Sequence, residues 1–162
     1  MSSKSYDAGE IVFLQGEPDS RVYRLEKGKV ILFVSGSSNF LLDVLDSPRF
    51  FGFAPFLNGV HSFCAEAYQP SVVEILPISP PAIPEAVQEN LFMDMSQLVE
   101  MMVFEEEDSR DKRLHQLMEQ LREFREPFLW RFFSRGLVSQ NIKLLLRQKK
   151  IKETGAGHFR FY

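Results

Sequence analysis

The feature that most constrains this fold is a series of short apolar segments, separated by turn residues, between about residue 7 and residue 78. Each segment is either a short apolar run or an alternation of apolar and polar residues. Both patterns are typical of β-strands. Glycine, proline, aspartate and serine cluster between the segments, and no long helical pattern interrupts them. The segments span residues 10–15, 22–36, 39–45, 61–68 and 71–78. This spacing predicts an antiparallel β-sandwich or barrel.

The pattern changes near Pro80, and residues 90–124 are rich in good helix formers without glycine or proline. A heptad-like stripe follows within and just beyond this segment, at Leu114, Leu117, Leu121, Phe124 and Phe128. An earlier stripe in another heptad phase is formed by Leu91, Met95, Leu98 and Met102. Such a stripe packs either on its own domain or on the same helix of a second copy. We predict the second arrangement, a homodimer with Leu114, Leu117, Leu121 and Phe124 on the dimer helix.

The last part of the sequence predicts a small basic helix and hairpin. Residues 139–151 favour a helix with Ser139 as its N-cap. A turn at residues 155–157 then separates two short strand-like segments. The whole chain is therefore predicted to be α+β, with a β-sandwich at 1–82, a helical segment at 83–128 and a basic helix-hairpin at 129–162.

The charge is divided unevenly along the chain. Residues 1–108 hold 6 Lys/Arg and 17 Asp/Glu, whereas residues 109–162 hold 13 and 5. The resulting balances are −11 and +8, within a net charge of −3. This division predicts that the two parts have different partners.

Cysteine content and hydropathy predict a cytoplasmic protein. The one cysteine, Cys64, excludes an intramolecular disulfide framework and is typical of a reducing compartment. No apolar run approaches the roughly 20 residues of a membrane span, and the first residues lack the apolar segment of a signal peptide.

No catalytic or metal-binding pattern stands out. His61 and Cys64 have metal-ligand spacing, but no second pair accompanies them, and His115 and His158 are distant in sequence. The sequence has no phosphate-binding loop or nucleophile motif of a known enzyme class. We therefore predict a protein that is not an enzyme and that needs no metal or cofactor.

Residues 6–34 carry a resemblance to a known family. An aromatic residue precedes Gly-Glu, an apolar pair and a glycine follow, and an apolar-Tyr strand leads to a glycine turn. These features are Tyr6, Gly9, Glu10, Ile11, Phe13, Gly16, Val22, Tyr23 and Gly28. The sequence resembles the cyclic-nucleotide-binding domain of the catabolite activator protein and its relatives, over about residues 6–125. The resemblance implies a jelly roll, a dimerisation helix and a phosphate-binding cassette.

The cassette departs from the family at both of its charged positions. In the family it reads Phe-Gly-Glu, an apolar turn, and then Arg-x-Ala followed by Thr, Ser or Cys. The Glu binds the ribose 2′-hydroxyl and the Arg pairs with the cyclic phosphate. Phe53 and His61 stand at these two positions here. The ligand-binding positions implied by the resemblance are Gly52, Phe53, Ala54, His61, Ser62 and Cys64.

These substitutions disfavour ordinary cyclic AMP binding and leave three alternatives for the cassette. It is a filled pocket that serves as scaffold, a pocket for a different ligand, or a weak nucleotide site that uses backbone N–H groups and His61.

In the activators a winged helix-turn-helix follows the long helix, with a recognition helix that reads roughly Ser-Arg-x-x-Val-x-Arg-x-Leu. The segment from Ser139 is loosely similar, although no first helix of the motif is evident. The candidate nucleic-acid contacts are Gln140, Asn141, Lys143, Arg147, Lys149 and Lys150. The alternative is a basic segment that packs on the acidic part of the chain or on an acidic partner.

Taken together, the sequence predicts a non-catalytic regulatory or adaptor protein that is homodimeric and binds a partner protein. The first alternative is a dimeric transcription regulator with a reduced DNA-binding module. The second is a sensor of a non-standard cyclic nucleotide.

Overall fold

The computed structural model describes residues 2–37, 39–55, 59–77 and 107–162. The chain divides into two compact units, residues 1–103 and 104–162. The boundary predicted at residue 82 and the apolar stripe from Leu91 to Met102 lie outside the described residues. The boundary predicted at residue 128 falls inside a short helix of the second unit.

The described residues of the first unit, which end at residue 77, form eight short strands. They are β1 (Ser2–Tyr6), β2 (Ile11–Phe13), β3 (Arg21–Lys27), β4 (Lys29–Val34), β5 (Phe40–Asp46), β6 (Arg49–Phe51), β7 (Cys64–Ala67) and β8 (Ser71–Pro77). Two four-stranded antiparallel sheets result, in the orders β1-β8-β3-β6 and β2-β7-β4-β5. This confirms the predicted antiparallel β-sandwich.

The core of this unit lies between the two sheets and is strongly aromatic. Tyr23 and Phe51 come from one sheet and Phe13 from the other, and their ring centroids are 5.2–5.9 Å apart. Each is at most 2% exposed. Burying one such ring stabilises the fold by about 1.5–3 kcal/mol, so this cluster holds the sheets together.

The turn between β3 and β4 requires its glycine. Gly28 has a φ of +99°, and a Cβ there would lie 2.7 Å from the carbonyl oxygen of Pro70. The sequence correctly predicts this turn, but it misses β1 and β6. The first four residues of β1 are exposed, so this edge strand carries no burial pattern and is held by pairing with β8.

In the second unit, residues 107–162 form three helices and three strands. They are α1 (Glu107–Leu121), β9 (Glu123–Arg125), α2 (Glu126–Leu129), α3 (Arg135–Arg147), β10 (Ile151–Gly155) and β11 (His158–Phe161). The strands form an antiparallel sheet in the order β10-β11-β9. The predicted helix followed by a hairpin is confirmed. The strand β9, which pairs with β11 of the hairpin, was not predicted. Within the described ranges, no helix is long and apolar enough to cross a membrane.

The predicted helix through Phe124 and Phe128 is wrong in extent. Arg122 adopts a φ of 66°, which takes the chain out of the α1 helix immediately after Leu121. Phe124 then lies in β9, opposite Phe159 of β11, with ring centroids 5.6 Å apart. The sheet therefore takes up a side chain that the heptad pattern assigned to a helix.

Candidate functional site

The cassette turn begins directly after β6 and is packed onto the aromatic core. Gly52 has a φ of +84°, and a Cβ there would lie 2.8 Å from the ring of Tyr23 and 3.1 Å from that of Phe13. Phe53 is 2% exposed, and Ala54 is half-buried. The side chain at the family's glutamate position is therefore part of the protein interior.

His61 is also turned inward. It is 1% exposed, and its ring stacks on Phe13 with the centroids 3.6 Å apart and the planes 7° from parallel. Its backbone N–H donates to the carbonyl of Glu17, and its carbonyl accepts from the N–H of Gly16. These bonds fix His61 to the loop between β2 and β3.

A buried carboxylate in that loop forms a hydrogen bond with the imidazole of His61. His61 Nε2 lies 3.0 Å from an Asp19 oxygen, and Asp19 also accepts from Arg21 Nε at 2.7 Å and from the Tyr23 hydroxyl at 2.5 Å. The Asp19 side chain is 5% exposed. Burial by itself favours the neutral acid, but the hydrogen bonds from Arg21, Tyr23 and His61 together hold the pKa of Asp19 far below its usual range.

This ionised acceptor fixes the form of the imidazole. Because the carboxylate of Asp19 only accepts, Nε2 of His61 carries the proton and donates. Nδ1 is buried and has no hydrogen-bond partner among the described residues. Burial lowers the pKa of His61, although the bond to Asp19 opposes this shift. His61 is therefore a neutral side chain at pH 7.

Sequence reasoning missed Asp19 as a site residue. Asp19 and His61 are 42 positions apart, and Asp19 has the sequence context of an ordinary turn residue. Of the remaining cassette positions, Ser62 is half-buried, and Cys64 is buried with its sulfur 3.4 Å from the N–H of Gln15. In the described part of the chain, no cluster of three or more His, Cys, Asp or Glu side chains could hold a metal ion.

The helix predicted to start after Ser139 begins earlier. Ser134 is its N-cap, with an extended backbone and a side-chain oxygen that accepts from the N–H of Leu137 at 3.3 Å. Ser139 lies inside α3, so its prediction as the N-cap is wrong. From the observed start, the family's recognition-helix pattern matches Ser134, Arg135 and Val138, with Gln140 in place of the second arginine.

One face of α3 is buried, and the opposite face is exposed. The buried side chains are Val138, Asn141, Ile142 and Leu145. Gly136, Gln140, Lys143 and Arg147 are exposed, and their spacing of four, three and four residues places them on one helix face. Lys149 and Lys150 are exposed just beyond the helix end. Five of the six candidate contacts are therefore exposed.

Asn141 does not lie on this face. It is 6% exposed, and its amide nitrogen donates to Asp111 of α1 at 2.8 Å and to the carbonyl of Leu137 at 3.0 Å. Its position corrects the assignment as a surface contact, because the amide is used to join α3 to α1.

Other basic side chains of the second unit are also exposed. The Arg135 guanidinium lies 4.3 Å from the ring centroid of Trp130, a cation–π contact. In the hairpin, Lys152 is opposite Arg160, and both are exposed. Sequence reasoning missed Arg135 because it placed the helix start five residues too late.

The four predicted dimer-helix residues lie in the interior of the second unit. Leu114, Leu117, Leu121 and Phe124 are at most 2% exposed within a single chain. This burial favours the alternative in which the stripe packs on its own domain.

The family model of the cyclic nucleotide-binding domain matches residues 3–90. A search of curated protein sequences gave no significant match.

Several solved structures have a similar fold over nearly the whole chain. A CRP/FNR-family transcriptional regulator from Thermus thermophilus is 20% identical, with a TM-score of 0.74 over 99% of this chain and 93% of that chain. The c-di-GMP responsive global regulator CLP from Xanthomonas campestris is 16% identical, with a TM-score of 0.70 over 99% and 93%. FixK2 from Bradyrhizobium japonicum is also 16% identical, with a TM-score of 0.70 over 99% and 91%. At these identities the likeness concerns the fold.

Proposed function

Since the chain belongs to the cyclic nucleotide-binding domain family, we propose that it is a non-catalytic regulator that binds duplex DNA through its second unit. The observation that carries this proposal is the exposed face of α3, where Gln140, Lys143 and Arg147 project from a capped helix that is followed by a hairpin. Of the alternatives from sequence, this favours the transcription regulator over the adaptor that binds a partner protein.

The chemistry of this face suits DNA. A major groove about 12 Å wide admits an α-helix, and glutamine can bond adenine through both of its amide atoms. Lysine and arginine contact phosphates and supply most of the non-specific affinity. The +8 balance of residues 109–162 provides a field that attracts a polyanion. The likeness of the fold to that of a transcriptional regulator from Thermus thermophilus adds support.

We also propose that the cassette is filled by the protein's own side chains and does not take cyclic AMP. Phe53 and His61 are both buried, and His61 is bonded to Asp19. A cyclic phosphate at this point would meet a neutral imidazole, not the charged fork of an arginine. In this proposal the first unit serves as a scaffold, and a homodimer presents two copies of α3.

We expect the protein to bind a random-sequence DNA duplex with strong salt dependence, and the Lys143→Ala/Arg147→Ala variant to bind more weakly. Loss of two phosphate contacts should make the negative slope of log K against log salt shallower by about two. Fluorescence anisotropy at several salt concentrations measures both quantities. Lys4→Ala/Lys27→Ala is the matched control, since both lysines are exposed in the first unit. A variant that binds like the wild type would contradict the assignment of the face. Absence of DNA binding by the wild type would direct attention to a protein partner.

We expect millimolar cyclic AMP to leave the thermal unfolding midpoint unchanged. A ligand at about 100 times its Kd would add about 2.7 kcal/mol, which is a shift of a few degrees for a protein of this size. Differential scanning fluorimetry with cyclic AMP, cyclic GMP and cyclic dinucleotides makes the comparison. A clear shift with any of them would overturn the filled cassette and support the sensor alternative.

A further inference from the structure

We infer that Gly136 is the point at which α3 comes closest to DNA, with its bare backbone in contact with the edges of the base pairs. This inference rests on the proposed DNA binding and goes beyond it to the way the helix enters the groove. The fold itself does not need a glycine at this position.

Gly136 is the second residue of α3 and is exposed. A Cβ at this position would meet no atom of the described residues within 4 Å, and its φ is not positive. Gly28 and Gly52 differ, because both have positive φ and both would clash. Glycine is among the poorest helix formers, whereas alanine is the best. The folded chain alone therefore offers no reason for a glycine here.

The position of Gly136 on the helix supplies a reason. It shares the exposed face with Gln140, Lys143 and Arg147, and it is the member nearest the N-terminal end. An α-helix with its side chains is about 10–12 Å across, which leaves little clearance in a major groove about 12 Å wide. A residue without a side chain lets that end of the helix approach more closely than any other residue would.

The other three residues of the face fit this orientation. Gln140, Lys143 and Arg147 have long side chains and follow Gly136 toward the C-terminal end. If the N-terminal end lies deepest, Gln140 is next to reach base edges, and the two cations span the larger distance to the phosphates. The adjacent Arg135 is held against Trp130, with its guanidinium 4.3 Å from the ring centroid. Side chains on this face therefore lengthen from the N-terminal to the C-terminal end of α3. This order suits a helix that enters the major groove at an angle, with its N-terminal end deepest.

The test compares Gly136→Ala and Gly136→Val with the wild type, on a duplex enriched from a random pool by the wild-type protein. Affinity is measured by fluorescence anisotropy, and stability is measured by thermal unfolding. The alanine variant should melt about 2 °C higher because its helix propensity improves. It should bind about tenfold more weakly, because the added methyl group would hold the helix away from the base edges in a groove only about 12 Å wide, and the valine variant should lose more. Gln116→Ala, at an exposed position of α1, controls for a gain in helix propensity alone.

A higher melting temperature together with a lower DNA affinity in the alanine variant supports the inference. If the glycine had only a structural role, stability and affinity would change in the same direction. Equal affinity of the wild type and the alanine variant overturns it and leaves the proposed DNA binding intact. A lower melting temperature in the alanine variant also overturns it, since the fold would then require the glycine. If the wild type enriches no duplex, the proposed function fails and this inference fails with it.

Discussion

Replacing Asp19 by alanine is expected to lower the free energy of unfolding of the first unit by about 3 kcal/mol, since each buried donor left without an acceptor costs about 1–3 kcal/mol. Two of its three side-chain donors, the Tyr23 hydroxyl and His61 Nε2, come from side chains that are at most 1% exposed. Both would be left buried without an acceptor, which is the costly way to lose a hydrogen bond. The third donor, Arg21, is half-exposed and can turn to water.

Urea-induced unfolding followed by tyrosine fluorescence measures this effect. Asp46→Ala is the matched control, because Asp46 also pairs with a cation in the first unit but is 65% exposed. An exposed ion pair contributes about 0–1 kcal/mol, so the control should change little. Equal losses of unfolding free energy in the two variants would show that the buried Asp19 cluster stabilises the fold no more than an exposed ion pair does.

The same cluster sets an acid dependence in two separate pH ranges. The pKa of His61 is lowered in the folded protein, so as the pH falls below about 6.5 the unfolded chain takes up a proton that the folded chain does not. The pKa of Asp19 is also lowered, so its stabilisation is complete above about pH 4 and is lost as the pH falls further. Stability should therefore decline in both ranges, and Asp19→Ala should abolish the contribution below about pH 4. An unchanged acid profile in this variant would contradict the assignment.

Local patterns explain how much of the fold could be predicted from the sequence. Short apolar runs bounded by turn residues identify strands such as β3 and β5, because each strand buries three apolar side chains in the sandwich. The edge strand β1 carries no such pattern, since its first four side chains are exposed. The sequence predicts the start of α3 five residues too late because Ser134 and Ser139 are both acceptable N-caps. Only the burial of Val138, Ile142 and Leu145 in the folded protein selects Ser134.

The candidate site was less accessible to sequence reasoning because its partners are distant along the chain. The family resemblance identified Phe53 and His61 as departures but could not show where the imidazole goes. Its acceptor, Asp19, lies 42 positions away in a turn. Asn141 illustrates the converse error, because a polar side chain on a helix suggests a surface contact, whereas here it is 6% exposed and donates a hydrogen bond to Asp111 of α1. Tertiary packing decides both cases, and no local signal marks it.

Replacing Leu114 by alanine is expected to lower the free energy of unfolding of the second unit by about 3–4 kcal/mol, within the range for emptying a buried leucine site. Leu114 is 0% exposed within one chain, and its neighbours on the stripe, Leu117 and Leu121, are 2% exposed. A cavity would therefore open inside the protomer. Leu144→Ala is the matched control, since this leucine of α3 is 48% exposed and the same substitution removes little buried surface.

The measurement that separates a core from a dimer seam is urea-induced unfolding at two protein concentrations about a hundredfold apart, with sedimentation velocity to follow the oligomeric state. If the stripe packs within the protomer, the loss caused by Leu114→Ala is the same at both concentrations, and the oligomeric state matches that of the wild type. If the stripe is the dimer seam, the variant dissociates and its loss varies with concentration, because the stability of an obligate dimer depends on mass action. The complete burial of Leu114 in a single chain favours the first result, which would leave the dimer to other parts of the molecule.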